Sequence, residues 1–448
     1  MEKENKSKFW KGVLVGALVT AFAGLIIVGV ATGISVIGRT VIDNQAETQT
    51  VSNAGEEPQT EGLNLNRIGN KLKLLQSVVE QRYLYDENPE DVETGIYKGM
   101  MYSLGDPYAD YYDAEEYKKL SETTEGTYCG IGVLVTQNPD NGQVVVVRVF
   151  PDTPGEEAGM LPGDIITRID DVEVGSMSLD LLVSQHIRGV EGTVVRITVK
   201  RDEKSVELKV IRRQVETPTV SSKILNGNTG YIMISQFEMT TAGQFAKAVE
   251  QMQQEGMERL VIDLRGNPGG VLDGAVDIAA YLLPEQPFDG MLLYTENRDK
   301  KGERYYCKNG QIYADSDLWN GKNTRYPKKD GHQLDLPIAV LIDGNTASAS
   351  EALTGALKDY QWATVVGTTS YGKGIVQNVI PLTDGSAVKL TVESYFTPSG
   401  YALHKKGITP DVEVELDEAL QKKAVITPEE DNQLQKAVEV LKEQEQGR

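Results

Sequence analysis

The strongest hydrophobic feature of the chain is an apolar run near its N-terminus. Residues 12–38 carry no charged side chain over 27 positions, which exceeds the roughly 20 residues that a bilayer-spanning helix needs. The run is also longer than the roughly 7–15 apolar residues of a secretory signal. Four lysines precede it and acidic residues dominate after it. The pattern therefore predicts a single-pass cell-membrane protein with residues 1–11 cytoplasmic and the rest extracytoplasmic; a cleaved signal near residues 31–33 is the alternative.

The next two segments differ sharply in their hydrophobic pattern. Residues 39–62 are mostly polar, and after Ile42 they lack large apolar side chains apart from Val51, which indicates a flexible linker. Residues 63–120 then show apolar positions at helical spacing, and we expect one helix from Leu63 to Tyr83 and another from Pro89 to Ser103. These terminal helices bury one face against the same chain or a second copy, so a homodimer is one expectation.

Residues 126–213 change to short β-branched runs bounded by Gly, Pro and Asp, a pattern typical of strands. One helix, from about Ser178 to Arg188, interrupts them. This arrangement, with the stretches CGIGV, GMLPGDIITRIDDVEV and IRGVEGTVVRITVKR, resembles a PDZ domain. Such a domain binds an extended chain end as an added strand. The expected strands are 131–135, 144–149, 165–169, 194–199 and 206–211.

From residue 215 to 416 buried strands alternate with helices, which argues for a layered α/β domain. Within it, residues 294–334 are polar and rich in Gly and Lys, and we interpret them as a long surface excursion. Residues 417–448 predict a C-terminal helical segment. The expected elements are strands at 231–237, 260–264 and 337–343, and helices at 242–254, 275–283 and 348–360.

Composition excludes several classes of function. The net charge is −21 although the first 40 residues are basic, so nucleic acid and anionic lipid are poor partners for the remainder. Only three His occur, and the two Cys lie far apart outside any CxxC spacing. A metal site and a disulfide framework are therefore both unexpected.

Candidate chemistry lies at two turns that follow buried strands. Ser348 lies at the predicted start of a helix, where unpaired N–H groups and the helix dipole favour developing negative charge. Plain N-capping is the alternative role for such a serine. Gly269 and Gly270 in DLRGNPGG let the backbone approach a ligand, or serve only as a tight turn.

Lys373 lies between two glycines among apolar β runs, where desolvation would lower its pKa toward neutrality. The surrounding residues also fit GxxxxGK, but Gly374 replaces the Ser/Thr that a phosphate-binding loop needs. Ser370 to Lys373 fits SxxK, but the flanking glycines oppose the helix which that motif requires. We reject both alternatives.

Together these segments resemble the C-terminal processing (tail-specific) peptidase family. The matching stretches occur in the family's order, and only residues 294–334 lack a clear counterpart after residue 63. They are GMMYSLGDPYADYYDAEEY, the PDZ module, GYIMISQF, DLRGNPGG, the Ser-Ala-Ser-Glu helix start, the lysine segment, KLTVESYFTPSGYALHKKGITPDVEV and DNQLQKAVEVL.

The resemblance implies an α/β peptidase core of the crotonase/Clp-protease type with a Ser-Lys dyad. The family's nucleophile lies 25 residues before its lysine, which selects Ser348 over Ser350 and pairs it with Lys373. Gln377 would orient the lysine. The oxyanion donors would be the amides of Ala349 and of Gly269 or Gly270.

The resemblance also implies protein or peptide substrates with free C-termini and no cofactor. The turn Gly130-Ile131-Gly132-Val133 would hold the substrate carboxylate. A non-catalytic PDZ scaffold and an acyl-CoA-type crotonase enzyme are the competing hypotheses. The co-occurrence of Ser348, Lys373 and Gln377 argues against the scaffold, and the acyl-CoA-type enzyme has no use for a Ser-Lys pair or a PDZ domain. Departures at Gly266, Tyr371 and Tyr401 leave the mechanism intact and bear on specificity.

Overall fold

The computed structural model describes residues 62–138, 141–309, 311–317, 321–326, 334–423 and 426–446. The predicted transmembrane helix 12–38 and nearly all of the predicted linker 39–62 lie outside these ranges. Within them, no helix combines the length and the hydropathy that a membrane span requires.

The N-terminal unit of the described chain is a single helix. Helix α1 spans Leu65–Arg82, close to the predicted bounds, and the Asn64 side chain caps it by accepting the Arg67 N–H at 2.9 Å. None of its residues is buried. Its exposed apolar side chains are those of Leu65, Ile68, Leu74, Leu75 and Val79.

The larger unit begins at Glu87. Its first helix, α2, spans Pro89–Tyr102, and helix α3 spans Ala114–Glu125 behind a capping box formed by Asp113 and Glu116. Between them lies a short strand, β1 (Asp110–Tyr112), which the helical expectation for residues 63–120 did not contain. The strand forms because it pairs with a partner far along the chain.

The expected PDZ segment is a compact β module around its own apolar core. Its sheet has the order β3-β4-β5-β7-β8, with β6 beside β5. Strand β3 lies at the end of this order, so one of its edges pairs with β4 and the other pairs with no described strand. Two further strands, β2 and β9, pair as a neck through which the chain enters and leaves. The elements are β2 Thr127–Gly130, β3 Val133–Gln137, β4 Val144–Val149, α4 Pro154–Glu157, β5 Ile165–Ile169, β6 Val172–Glu173, α5 Leu179–Leu182, β7 Val194–Arg201, β8 Lys204–Ile211 and β9 Arg213–Glu216.

The remainder is built on a sheet of order β10-β11-β12-β17-β18-β21, parallel except at β10. Alternate side chains point to opposite faces: Leu260 and Ile262 pack with α6, α7 and α8, whereas Val261 packs with α9. The elements are β10 Val220–Leu225, β11 Thr229–Ile234, α6 Thr241–Gln254, β12 Arg259–Asp263, α7 Leu272–Leu282, β17 Ile338–Ile342, α8 Ala349–Asp359, β18 Ala363–Gly367, β21 Val412–Glu413 and α9 Asn432–Gln446.

A second sheet of order β1-β20-β13-β14-β15-β16, with β19 also on β20, packs against the same core. Its strands β14 to β16 lie in the segment interpreted as a surface excursion, and that interpretation was wrong. Tyr305 and Cys307 in β14, and Ile312 and Ala314 in β15, are buried and alternate with less buried residues. The strands are β13 Met291–Glu296, β14 Glu303–Lys308, β15 Gln311–Ser316, β16 Gly321–Tyr326, β19 Ile375–Pro381 and β20 Ala387–Phe396.

Candidate active site

Ser348 occupies a sharp turn between β17 and α8. Its φ of 57° and ψ of −120° lie in a region that L-residues rarely adopt, so the turn stores backbone strain of about 1–3 kcal/mol. Helix α8 starts at the next residue, Ala349. Ser348 is partly exposed while the neighbouring residues of the helix are buried. The sequence therefore places a strained, accessible hydroxyl at the positive end of a buried helix.

Glu351 ties this turn to the lysine segment. It is fully buried. One carboxylate oxygen accepts the backbone N–H groups of Ser348 (2.9 Å) and Lys373 (2.8 Å). The other accepts the Gly372 N–H (2.7 Å) and the Ser370 hydroxyl (2.5 Å). Four donors to one carboxylate stabilise its charge and fix the two segments relative to each other.

Tyr395 on β20 joins the same two segments from the other side. Its buried hydroxyl lies 2.6 Å from the Ser348 carbonyl oxygen and 2.8 Å from that of Lys373. The structure thus brings the predicted nucleophile and base together through their backbones. Sequence analysis missed this tyrosine because nothing local marks it, whereas Glu351 was visible only as an acidic residue in the first turn of a helix.

Burial lowers the pKa of Lys373 below its ordinary value, and the charge of Lys389 lowers it further. Asp106 and Glu351 act in the opposite direction and raise the pKa. The residues around Lys373 form no helix (368–374), as rejection of the phosphate-loop and SxxK alternatives requires. A lysine with a lowered pKa holds more of the neutral amine that a general base needs.

The side chains of the predicted dyad are not paired in this structure. Lys373 Nζ lies over the Tyr108 ring, 4.3 Å from its centre, and within the described residues it forms no hydrogen bond to Ser348. The Gln377 amide, on β19, donates to Ile375 O and Thr391 Oγ1, both at 3.4 Å, and among the described residues it has no hydrogen bond to the lysine. Its orienting role therefore stays a prediction.

The glycine turn lies directly against the serine. A Cβ on Gly269 would lie 2.7 Å from Ser348 Cβ and 2.9 Å from Ala349 N, and one on Gly270 would lie 2.0 Å from Phe237 O. Both positions therefore exclude any side chain. Buried Asn267 shapes this turn, because its Oδ1 accepts the Gly269 N–H at 2.9 Å while its Nδ2 donates to Ile234 O.

The predicted carboxylate turn of the PDZ module lies between strands β2 and β3. Gly130 ends β2 and Val133 begins β3. The carbonyl oxygens of Ile131 and Gly132 accept N–H groups from within the module, at 2.7 and 3.0 Å. Gly132 has φ 74°, and a Cβ there would meet Thr153 at 2.3 Å. The turn is thus held tightly beside the open edge of β3.

Nothing in the described part of the chain gathers three or more His, Cys, Asp or Glu side chains as a metal site would. The two cysteines, Cys129 and Cys307, are both free thiols.

Two family models match the chain. Residues 129–211 match the PDZ domain, and residues 228–414 match peptidase family S41. The expectation of a PDZ module beside an α/β peptidase core is confirmed at this level. A solved photosystem II D1 C-terminal processing protease is 26% identical, with a TM-score of 0.39, over 77% of this chain and 86% of the other.

Curated relatives extend the match across both domains. A "Probable CtpA-like serine protease" of Staphylococcus aureus is 33% identical over 357 residues, which are 80% of this chain and 66% of the relative. One of the same description in Staphylococcus epidermidis is 32% identical over 80% of this chain and 68% of its own length. The chain thus spans about two-thirds of the length of these relatives. It belongs to peptidase family S41, among the CtpA-like serine proteases.

Proposed function

We propose that the chain is a serine endopeptidase that cleaves exported or membrane proteins near their C-termini, with Ser348 as nucleophile and Lys373 as base. The observation that carries the proposal is the pair of buried groups, Glu351 and Tyr395, that each contact both the strained serine turn and the lysine segment. Helix capping alone explains the bond from the Ser348 N–H to Glu351, but not the donors of residues 370–373 to Glu351 or the contact of Tyr395 with both carbonyl oxygens.

In the proposed reaction the neutral Lys373 amine removes the proton from Ser348 Oγ as the oxygen attacks the scissile carbonyl carbon. The lysine ammonium then returns that proton to the leaving amine as the C–N bond breaks. Water attacks the acyl-enzyme, gives a proton to Lys373, and the C–O bond to Ser348 breaks as the serine is reprotonated. Gln377 would orient the lysine once the dyad forms.

The oxyanion donors in this proposal are the backbone amides of Ala349 and Gly270. Ala349 is the first residue of helix α8, so its N–H has no partner within the helix. Of the two glycines, Gly269 donates its N–H to Asn267, which leaves that of Gly270 for the substrate. Each such donor typically contributes a few kcal/mol to the transition state.

The test uses the detergent-solubilised full chain and an unfolded protein substrate. Ser348→Ala and Lys373→Ala should each reduce kcat/KM by about 10⁴-fold or more, and Lys373→Arg should be equally inactive because guanidinium keeps its proton. Ser399→Ala and Lys406→Ala, at exposed positions, are the matched controls. Cleavage that survives Ser348→Ala would refute the assignment of the nucleophile. Absence of cleavage by the wild type would instead favour the scaffold or acyl-CoA-type hypotheses.

The PDZ module is proposed to capture the substrate's C-terminal tail and to gate its delivery. Strand β3 has an open edge beside the Gly130 to Val133 turn, which suits addition of an extended peptide with its carboxylate at the turn. The module also contacts helix α3 through Arg188 and Glu122, 3.3 Å apart. A change in the position of the module would therefore act on helix α3, which follows β1.

We also propose a membrane tether through residues 12–38, with the catalytic region outside the cell, and a homodimer through the terminal helices. The apolar run and its flanking lysines support the tether. External protease should digest the region beyond residue 40 in intact cells and spare an N-terminal tag. Digestion of the tag instead would show the opposite topology. Chemical crosslinking that yields only the mass of a single chain would exclude the dimer.

A further inference from the structure

A turn from the N-terminal helical segment lies over the catalytic lysine. The turn, residues 105–108, leads into β1, which pairs with β20 at Asp110–Lys389 and Tyr111–Val388. The Lys389 ammonium also donates to the Tyr112 hydroxyl at 2.5 Å. Because β20 also pairs with β19, the strand that follows the lysine segment, this anchorage fixes the turn beside Lys373.

The residue of this turn that meets the lysine is Tyr108. Its ring is partly buried, and Lys373 Nζ lies 4.3 Å from the ring centre. Burial raises the pKa of the Tyr108 hydroxyl, and the neighbouring side chain of the exposed Tyr371 raises it further. The face of an aromatic ring attracts an ammonium group at this distance and has no comparable attraction for a neutral amine.

We propose that Tyr108 is a positioning residue for the general base: its ring holds protonated Lys373 away from Ser348, and only the deprotonated amine moves to the serine hydroxyl. This inference rests on the proposed Ser348–Lys373 dyad. It explains why Glu351 and Tyr395 connect the backbones of Ser348 and Lys373 while the two side chains form no hydrogen bond in the described part of the chain. Lys373 loses one N–H proton to solvent water before the dyad forms, and no other bond changes.

Three charged groups near Lys373 also affect its pKa. Lys389, from β20, opposes the ammonium, whereas Asp106 of the turn and Glu351 of α8 favour it. Tyr108 adds to the favourable side, because a cation on a ring face is stabilised. Removing the ring while keeping an apolar side chain of similar size should therefore lower the pH at which Lys373 becomes a base.

The test measures kcat/KM against pH for the full chain with Leu, Phe or Trp at position 108. Tyr108→Leu should move the acid limb down by about 0.5 to 1.5 pH units, from the usual strength of such contacts, with an unchanged plateau above it. Tyr108→Phe should match the wild type because the ring remains. Tyr108→Trp should move the limb upward, because indole binds cations more strongly.

An unmoved limb in Tyr108→Leu, or a lower plateau without a shift, would overturn the inference, because a merely structural residue gives that result. Thermal unfolding midpoints identify a variant with a damaged fold. If Tyr108→Leu fails to fold, the test rests on whether the acid limb of Tyr108→Trp lies at higher pH than that of Tyr108→Phe. Ser348→Ala in the same assay keeps the two proposals apart. Activity that survives in that variant refutes the dyad, whereas an inactive Ser348→Ala with an unmoved Leu limb refutes only the role of Tyr108.

Discussion

At the scale of single residues, the site depends on one buried carboxylate with many partners. Glutamate in the third position of a helix commonly accepts the N–H of its own N-cap residue, and Glu351 does so toward Ser348. The same carboxylate also accepts three donors from residues 370–373. The spacing of Ser348 and Glu351 in the sequence predicts the first of these contacts. The other three depend on tertiary packing of residues 370–373 against helix α8, which no local pattern predicts.

Ser370 gives a prediction in which the structure changes an expectation from the sequence. Rejection of the SxxK motif made this serine unimportant, yet it is buried, donates to Glu351 and accepts the Ile408 N–H at 2.6 Å. Ser370→Ala leaves that buried N–H unpaired, so we expect a loss of about 1–3 kcal/mol in the free energy of unfolding. Denaturant titration measures it, with Ser399→Ala as the exposed control.

The same variant should keep its nucleophile. A serine-reactive probe should still label Ser348 in Ser370→Ala, at a reduced rate, because Glu351 loses only one of its four donors. An unfolding free energy equal to that of the wild type would show that the hydrogen bonds of Ser370 contribute nothing. Loss of labelling in Ser370→Ala together with its retention in Ser348→Ala would instead move the nucleophile to Ser370.

At the scale of elements, the sequence predicted most strands and helices around the site, because their apolar periods are strong. Strands β4 and β5 coincide with the predicted ranges, and β12, β17 and α8 differ by a residue or two at their ends. Those elements carry Ser348 and the glycine turn. The position of both could therefore be predicted from hydrophobic pattern and turn residues alone.

The elements that the sequence did not reveal owe their structure to distant partners. Strand β1 has three residues and pairs with β20 far along the chain, so its formation depends on tertiary contacts rather than on propensity. Strands β14 and β15 alternate buried and less buried residues, but the less buried positions include Tyr306 and Tyr313 as well as charged side chains, so the sequence shows no clear apolar-polar period. The contact between Tyr108 and Lys373 follows from β1, and it was invisible for the same reason.

At the scale of the whole molecule, the PDZ module joins the peptidase core through its neck. Strands β2 and β9 pair with Gly130 opposite Arg213, so the chain enters and leaves the module at adjacent points. The Thr217 N–H donates to the Gly126 carbonyl just outside the neck, and the Met239 N–H donates to that of Thr124. The module and the peptidase domain therefore pack around separate apolar cores.

The neck makes it possible to remove the module without opening a gap. Residues 131–212 can be replaced by Asn-Gly, which forms a two-residue hairpin turn between paired strands, so Gly130 and Arg213 stay in register. The substrates are a tailed protein with a free C-terminal carboxylate and the same protein amidated. If the Gly130 to Val133 turn holds the carboxylate, the intact chain should cleave the free acid about tenfold or more faster, because charge-assisted hydrogen bonds contribute about 1.5–3 kcal/mol.

The chain that lacks residues 131–212 should cleave the free acid and the amide at the same rate. That rate should be lower than the rate of the intact chain on the free acid, because the module no longer captures the substrate. Short unstructured peptides should be cleaved by the chain that lacks these residues as fast as by the intact one, or faster if the module also blocks the site at rest. Equal rates for acid and amide with the intact chain would contradict carboxylate capture. The open edge of β3 would then serve internal segments or a regulatory partner, and the Ser348 and Lys373 assignments would stand on their own variants.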